Sequence, residues 1–300
     1  MGKETKNIFF LGKGGVGKST SSALTALHLA EKGKKVYLVS LDPAHNQSDI
    51  FEKKFSGKPV KIHKNLSISE VEIAFWVKKY LSDIQFQIKR SYSYLTAFNL
   101  ENYLDIIKYS PGIEEYAMLL AYKNIQEKAK DEDYIIFDMP PTALTLKFLT
   151  LPHLSLLWLD NLLNLRNKII EKRKIITKVK LGKKEIETDK IRNKLFQQIE
   201  EYKKLKIIFE DSDKTQLNLV MNTDKLSFSE SALIVNHLAE FNISIKNIIL
   251  NKYQKDFNTQ EIEKRYPDCG LQLIPNSEKP LLGITALTDF LHVLKSFIEL

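Results

Sequence analysis

The 300 residues, 43% hydrophobic and 27% charged, suit a globular chain large enough for one sizeable domain or for one carrying a helical insertion, and they exclude collagen-like, disordered and disulfide-rich classes. A single cysteine, Cys269, excludes an internal disulfide and a cysteine-only metal site within one chain, which suits a reducing, cytoplasmic setting. The net charge of +8 is concentrated between Arg166 and Lys206, where 15 Lys and Arg stand against 6 Asp and Glu, so the rest of the chain is close to neutral.

The opening MGKETKNIFFLGKGG has no apolar core of the secretory type, and Lys6 stands where a myristoylation signal wants Ser or Thr, so neither is expected. Short β-branched and aromatic runs then recur with helical patterns between them. Strands are predicted at Asn7 to Leu11, Lys35 to Leu41, Leu66 to Val71, Tyr134 to Phe137, Gln216 to Met221, Asn247 to Leu250 and Leu271 to Ile274. Their alternation with helices predicts an α/β fold with a mostly parallel sheet. Ser19 to Lys32 reads as the first crossover helix, with Gly33 in the place of a C-terminal cap. Residues 74–130 and 152–206 do not read as sheet units, and we assign them to a mainly helical subdomain within a single domain spanning 1–300. The most apolar run, Leu151 to Leu165, is interrupted by His153, Asp160 and Asn161 and is shorter than the roughly 20 residues of a membrane span, so no transmembrane helix is expected.

Gly12-Lys13-Gly14-Gly15-Val16-Gly17-Lys18-Ser19-Thr20 satisfies G-x-x-x-x-G-K-[ST] between a strand and a helix, where a P-loop must stand. Backbone N–H groups of such a loop and the positive end of the following helix converge on phosphate oxygens, and the glycines permit close approach. Lys18 then reaches the β- and γ-phosphates of ATP, Ser19 offers a hydroxyl to Mg2+, and Thr20 lies nearer the α-phosphate. Asp42, after the second strand, can orient an attacking water and stand beside the metal, or can simply form an Asx turn before Pro43. Asp138, ending a Tyr-Ile-Ile-Phe strand, is placed to hold Mg2+ through water as a Walker-B carboxylate does.

The second lysine, Lys13, makes the loop resemble that of the deviant P-loop ATPases, which include arsenite-pump, tail-anchored-protein-targeting, nitrogenase-iron-protein and septum-positioning or partition ATPases. The stretch Ser40 to Asp49, with Asp42-Pro43-Ala44-His45-Asn46 as its hallmark, resembles the first switch of the arsenite-pump and tail-anchor-targeting branch, and Phe137 to Pro152 resembles its second switch. Pro111-Gly112-Ile113-Glu114-Glu115 is a weaker echo. The resemblance implies a homodimeric ATPase using ATP and Mg2+, with Lys13 reaching the partner's nucleotide. It also implies nucleotide-contacting roles for Asp224, for Asn251 at a strand end, and for Pro275 in a loop beside the base. A solvated Lys13, and turn roles for Asp224, Asn251 and Pro275, remain alternatives.

Three departures from the family pattern stand out. Ala143 and Leu144 replace the usual Gly-His of the second switch. The stretch between Asn251 and Pro275 has no Cys-x-x-Cys, so structural zinc is not expected. Cys269 alone cannot build the thiolate cluster that arsenite would need. A hydrophobic client helix or a membrane partner is the implied cargo. Met118, Phe75, Trp76, Tyr80, Phe86, Leu156, Leu157, Trp158, Leu162, Leu163 and Leu165 could line its groove, although helical spacing of this kind more often marks a core. The basic segment reads as a solvated helix pair rather than a nucleic-acid site, since it lacks aromatic interleaving. Leu282 to Leu300 reads as a docked terminal helix, having only Lys295 as a basic neighbour. A partition or positioning ATPase acting on membrane or DNA, or the ATPase subunit of an anion exporter, is the alternative function.

Overall fold

The structure is a computed structural model that describes residues 5–91, 110, 112–180, 190–254 and 257–294. Pro111 of the weaker echo, and Lys295, Ile298 and Leu300 of the expected last helix, lie outside the described residues, as do 92–109 and 181–189 of the two expected helical stretches.

Eight strands form one sheet: β1 (Lys6–Leu11), β2 (Val36–Ser40), β3 (Val60–His63), β4 (Leu66–Glu70), β5 (Tyr134–Asp138), β6 (Thr215–Met221), β7 (Asn247–Tyr253) and β8 (Gly270–Pro275). Their order is β3-β4-β2-β5-β1-β6-β7-β8, and all pairs are parallel except β3 with β4. The parallel pairs require crossover connections, which supply helices to both faces. That is why β1 reads as an unbroken apolar run: Phe9 and Leu11 enter the core on one face, Ile8 and Phe10 the core on the other.

On the second of these faces lie α1 (Lys18–Glu31), α2 (Asn46–Ile50) and α9 (Gly283–Val293), with Leu24, Leu27, Ile50, Leu287 and Leu291 buried there. Gly33 has φ 81°, the left-handed conformation expected of a residue that ends α1. The opposite face is covered by α4 (Ile113–Lys128), α5 (Thr142–Lys180), α6 (Lys190–Glu210) and α7 (Lys225–Ala239). α3 (Ile73–Ser91) packs on α4, and the short α8 (Gln260–Arg265) precedes β8. An aromatic cluster pins this layer to the sheet: Phe9 stacks on Phe137 with centroids 4.7 Å apart, Phe209 meets Phe9 edge-on at 6.1 Å, and Phe148 lies 5.5 Å from Phe209.

Two expectations need correction. β3 is an addition to the seven expected strands, because Val-Lys-Ile-His is short and half polar, as an antiparallel edge strand can be. The apolar run at Leu151 to Leu165 is not the limit of its helix, since α5 runs through Pro152 without ending. Residues 142–172 are long and apolar enough to cross a membrane by length and composition, with 39% of the most apolar stretch buried in the protein. Proline costs a helix one backbone hydrogen bond and crowds the preceding turn. Here that turn contains Phe148 and Leu149, both fully buried, so packing holds the helix together where its backbone is weakest.

Candidate active site

β1 lies between β5 and β6, while the chain leaving it crosses first to β2 on one side and later returns to β6 on the other. Such a reversal opens a crevice at the carboxyl ends of the strands. The loop Gly12 to Gly17 emerges there. Gly12 has φ 143°, and a Cβ at that position would collide with the Val220 carbonyl oxygen of β6. Gly17 has φ 94°, and a Cβ there would collide with the Asn251 amide of β7. Both glycines are therefore demanded by backbone conformation and by close approach together. Asn251 Nδ2 donates to the Val16 carbonyl at 2.8 Å, so the tip of β7 braces the loop from beneath.

α1 starts directly after Gly17, and its unpaired first-turn N–H groups face the loop's concavity. Lys18 is buried and donates from Nζ to the Lys13 carbonyl at 3.2 Å. Burial lowers the Lys18 pKa, and the nearby carboxylates of Asp138, Asp42 and Glu230 oppose that shift. Lys18 thus sits in a buried position among three acids.

Asp138 ends β5 with no exposure to solvent. Burial pushes its carboxyl up to about 6, against the polar side chains of Gln47 and Ser19 beside it. Oδ2 accepts from Gln47 Nε2 at 2.9 Å, whereas Oδ1 is buried with no hydrogen-bond partner among the described residues. Asp42, also buried, accepts from the Ala44 backbone at 3.0 Å through Oδ1, and its own N–H donates to Ser40 Oγ at 3.3 Å. The Asx turn is thus present, and it aims the residue toward the same site rather than away from it. His45 follows in the left-handed conformation with φ 52°, and Asn46 Nδ2 donates to Ser19 Oγ at 3.4 Å. Ser48 is tied down by Glu70 through its N–H at 2.7 Å and its hydroxyl at 2.6 Å.

A magnesium ion is the metal that this chemistry implies. Among the described residues no group of three or more His, Cys, Asp and Glu forms a metal cluster. What stands together is Ser19 Oγ and the orphaned, buried Oδ1 of Asp138, with Asp42 beside them. A few hard oxygens of this kind fit Mg2+, which keeps several waters and takes other ligands from substrate phosphates. The donor set fits that ion and would be a poor one for a soft metal.

The structure therefore brings Gly12, Lys13, Gly14, Gly15, Val16, Gly17, Lys18, Ser19 and Thr20 together with Asp42, Asp138 and Asn251. Lys13 is half-buried at the loop's rim. Asp224 caps the start of α7, accepting from Ser227 N at 2.9 Å, and Pro275 ends β8 opposite Tyr253. Gln47 and Glu230 are additions to the residues expected from sequence. Gln47 lies inside a recognised motif, but nothing in the string of letters distinguishes a buried amide from an exposed one. Glu230 sits one helix away, on α7, and accepts from the Thr142 hydroxyl at 2.6 Å.

Comparison with known proteins gives one consistent result. The family model described as anion-transporting ATPase matches residues 5–266. A protein of Aquifex aeolicus that carries the name putative arsenical pump-driving ATPase 2 is 31% identical over 300 residues, covering 94% of this chain and 97% of its own length. ATPase ASNA1 homolog 2 of Paramecium tetraurelia is 31% identical over 312 residues, with 96% of this chain and 93% of the relative covered. ATPase ASNA1 homolog 1 of the same organism is 30% identical over 312 residues, with 96% and 92% covered.

Proposed function

The chain belongs to the anion-transporting ATPase family, and from that premise we propose that it is a Mg2+-dependent, homodimeric switch that couples ATP hydrolysis to a hydrophobic client helix or a membrane partner. That the chain is an ATPase, with a nucleotide as substrate, follows from the family. The observation that carries the finer reading is the convergence of buried Lys18, Ser19, Asp42 and Asp138 on the loop at the carboxyl end of the sheet.

In this reading the loop amides and the first turn of α1 receive the β- and γ-phosphates, and Lys18 neutralises charge that develops between them. Ser19 and Asp138 would hold Mg2+, with Asp42 at its side, and the bound ion would supply charge neutralisation for the phosphates. Asp42 also orients the water that attacks the γ-phosphorus, because positioning is most of what a protein contributes to phosphoryl transfer. Lys13 extends from the rim toward a second protomer's nucleotide. Asn251 serves the site through the loop it braces, and its remaining amide capacity, with the backbone near Pro275, suits the base. Asp224, as a helix cap, sets the entry to α7 beside it.

The relay starts at Asp138. Four residues later Thr142 begins α5, fixed by its bond to Glu230 and by Thr145 Oγ1 donating to the Pro140 carbonyl at 2.6 Å. The same helix carries Leu154, Leu157, Trp158 and Leu165 to the surface, largely exposed. Apolar surface of that extent on one helix marks an interaction site. The name of one relative, putative arsenical pump-driving ATPase 2, fits an enzyme that works on a pump.

The test is the Asp42→Asn protein. It should bind Mg-ATP within about twofold of wild type while turnover drops about 100-fold or more. With ATP it should sediment as a dimer, and the trapped complex should retain an apolar helix peptide. Equal loss of binding and turnover would remove Asp42 from its catalytic role, and a monomer under saturating ATP would remove the homodimer.

A further inference from the structure

Gln47 is fully buried in α2, yet it is polar and only half satisfied. The two N–H groups of its Nε2 are shared among three acceptors, the Asp138 carboxylate at 2.9 Å, the Ser19 carbonyl at 3.0 Å and Ser22 Oγ at 3.1 Å. Two of those three are acceptors only, which fixes the orientation of the amide: the nitrogen must point at them. The opposite atom, Oε1, is buried with no partner among the described residues. Asp138 Oδ1, on the side chain to which Gln47 is bonded, is likewise buried with no hydrogen-bond partner among the described residues.

A leucine or methionine would fill the same space without an unpaired carbonyl, so packing alone does not explain a glutamine here. Two acceptors on bonded side chains, without a hydrogen-bond partner among the described residues, leave room for donors from outside, and the Ser19 hydroxyl stands beside them. A hydrated hard cation brings such donors, since Mg2+ gives up its waters reluctantly and those waters are strong donors. We propose that Gln47 is a positioning residue of the metal site: its amide locks the Asp138 carboxylate in place and ties the first switch to α1, while its carbonyl accepts from the hydration shell of the divalent ion. This deepens the ATPase reading and rests on it.

The position of Gln47 gives it a second consequence. It lies five residues after Asp42, on the helix that the first switch leads into, and grips both α1 and β5. Loss of the amide therefore frees the switch from the metal side of the site without touching the phosphate loop itself.

The test titrates Mg2+ against binding of a fluorescent ATP analogue to full-length wild type, Gln47→Leu and Gln47→Met, with thermal unfolding of each protein measured free of nucleotide. The half-saturating Mg2+ concentration should rise about tenfold in both variants, the lower end of what loss of an outer-shell partner costs a metal site. Affinity for the analogue in excess EDTA should stay within about twofold of wild type, and any fall in unfolding midpoint should be alike in the two variants, reflecting the hydrogen bonds to Asp138 and Ser19 that both lose. Variants that keep the wild-type Mg2+ dependence overturn the inference, as do variants that lose affinity equally with and without Mg2+, which would make Gln47 a packing residue. If Gln47→Leu unfolds, Gln47→Met, closer in shape to glutamine, carries the decision. A wild-type protein whose nucleotide binding ignores Mg2+ would overturn the site reading as well, so the two failures are distinguishable.

Discussion

The described residues of α5 divide between a buried part and an exposed one. Phe148 and Leu149 have no contact with water, wedged among Phe9, Phe209 and the rest of the sheet's aromatic cluster, whereas Leu157 and Trp158, two to three turns further on, are 65% and 66% exposed. The first half is held by the protein's own core and is attached, through Thr142 and Pro140, to the nucleotide side of the sheet. Further along, Leu154, Leu157, Trp158 and Leu165 present the same kind of side chain to solvent, while Leu159 remains in the core. Apolar residues on one continuous helix thus serve two purposes, and the change falls just after Pro152, where the backbone gives up a hydrogen bond.

The largest effect that would sharpen this contrast is Phe148→Ala, expected to lower stability by about 3–5 kcal/mol because a fully buried ring leaves a cavity. Denaturant unfolding would show it. A loss no greater than that of a surface change would mean that the first half of α5 is not anchored as described.

The second effect concerns the site to which that half is attached. Asp138 has its carboxyl raised from the ordinary carboxylate range to about 6, so ionising it opposes folding of the nucleotide-free protein. Its contribution to stability is fully present below the unfolded value near 4 and is lost as pH rises through about 6, a difference on the order of 3 kcal/mol. Asp138→Asn should therefore stabilise the free protein at about pH 7.5 and do little at about pH 4, as thermal melts at the two pH values would reveal. An unchanged melting point at the higher pH would show that the carboxylate is already compensated.

Third comes Gly17→Ala. The new Cβ meets Asn251 in a backbone conformation that alanine tolerates poorly, so the loop must shift. A displacement near 1 Å at such a site costs about 100-fold, equivalent to roughly 2.7 kcal/mol, and ATP affinity measured by fluorescence should fall by that order. The smallest effect is Trp158→Ser, which should change stability by less than about 0.5 kcal/mol while reducing capture of an apolar helix peptide. A large stability loss there would place Trp158 in a core and erase the contrast between the two halves.

Legibility in the sequence follows the same division. The seven predicted strands are all present, each with ends within three residues, because buried parallel strands write themselves as short β-branched and aromatic runs. The loop is legible because Gly12 and Gly17 are required by contacts with Val220 and Asn251 that no other residue type permits. Asp42 and Asp138 are legible as acids at strand ends. β3 is not, since an edge strand of four half-polar residues lacks the pattern that burial imposes. Continuation of α5 through Pro152 is not legible either, because the compensating contacts of Phe148 come from β1 and α6, far away in sequence. Gln47 and Glu230 act through tertiary partners, Asp138 and Thr142, and a spacing rule has no access to those.

In the proposed reading Lys18 and the loop around it form the phosphate cradle on which the rest of the site depends. Calorimetric titration of Mg-ATP into wild type and Lys18→Ala tests that most directly. Wild type should bind with a measurable heat at one site per chain, and the variant should lose at least about 100-fold in affinity, as expected when a buried charge partner is removed. Equal affinities in the two proteins would contradict the assignment of the site.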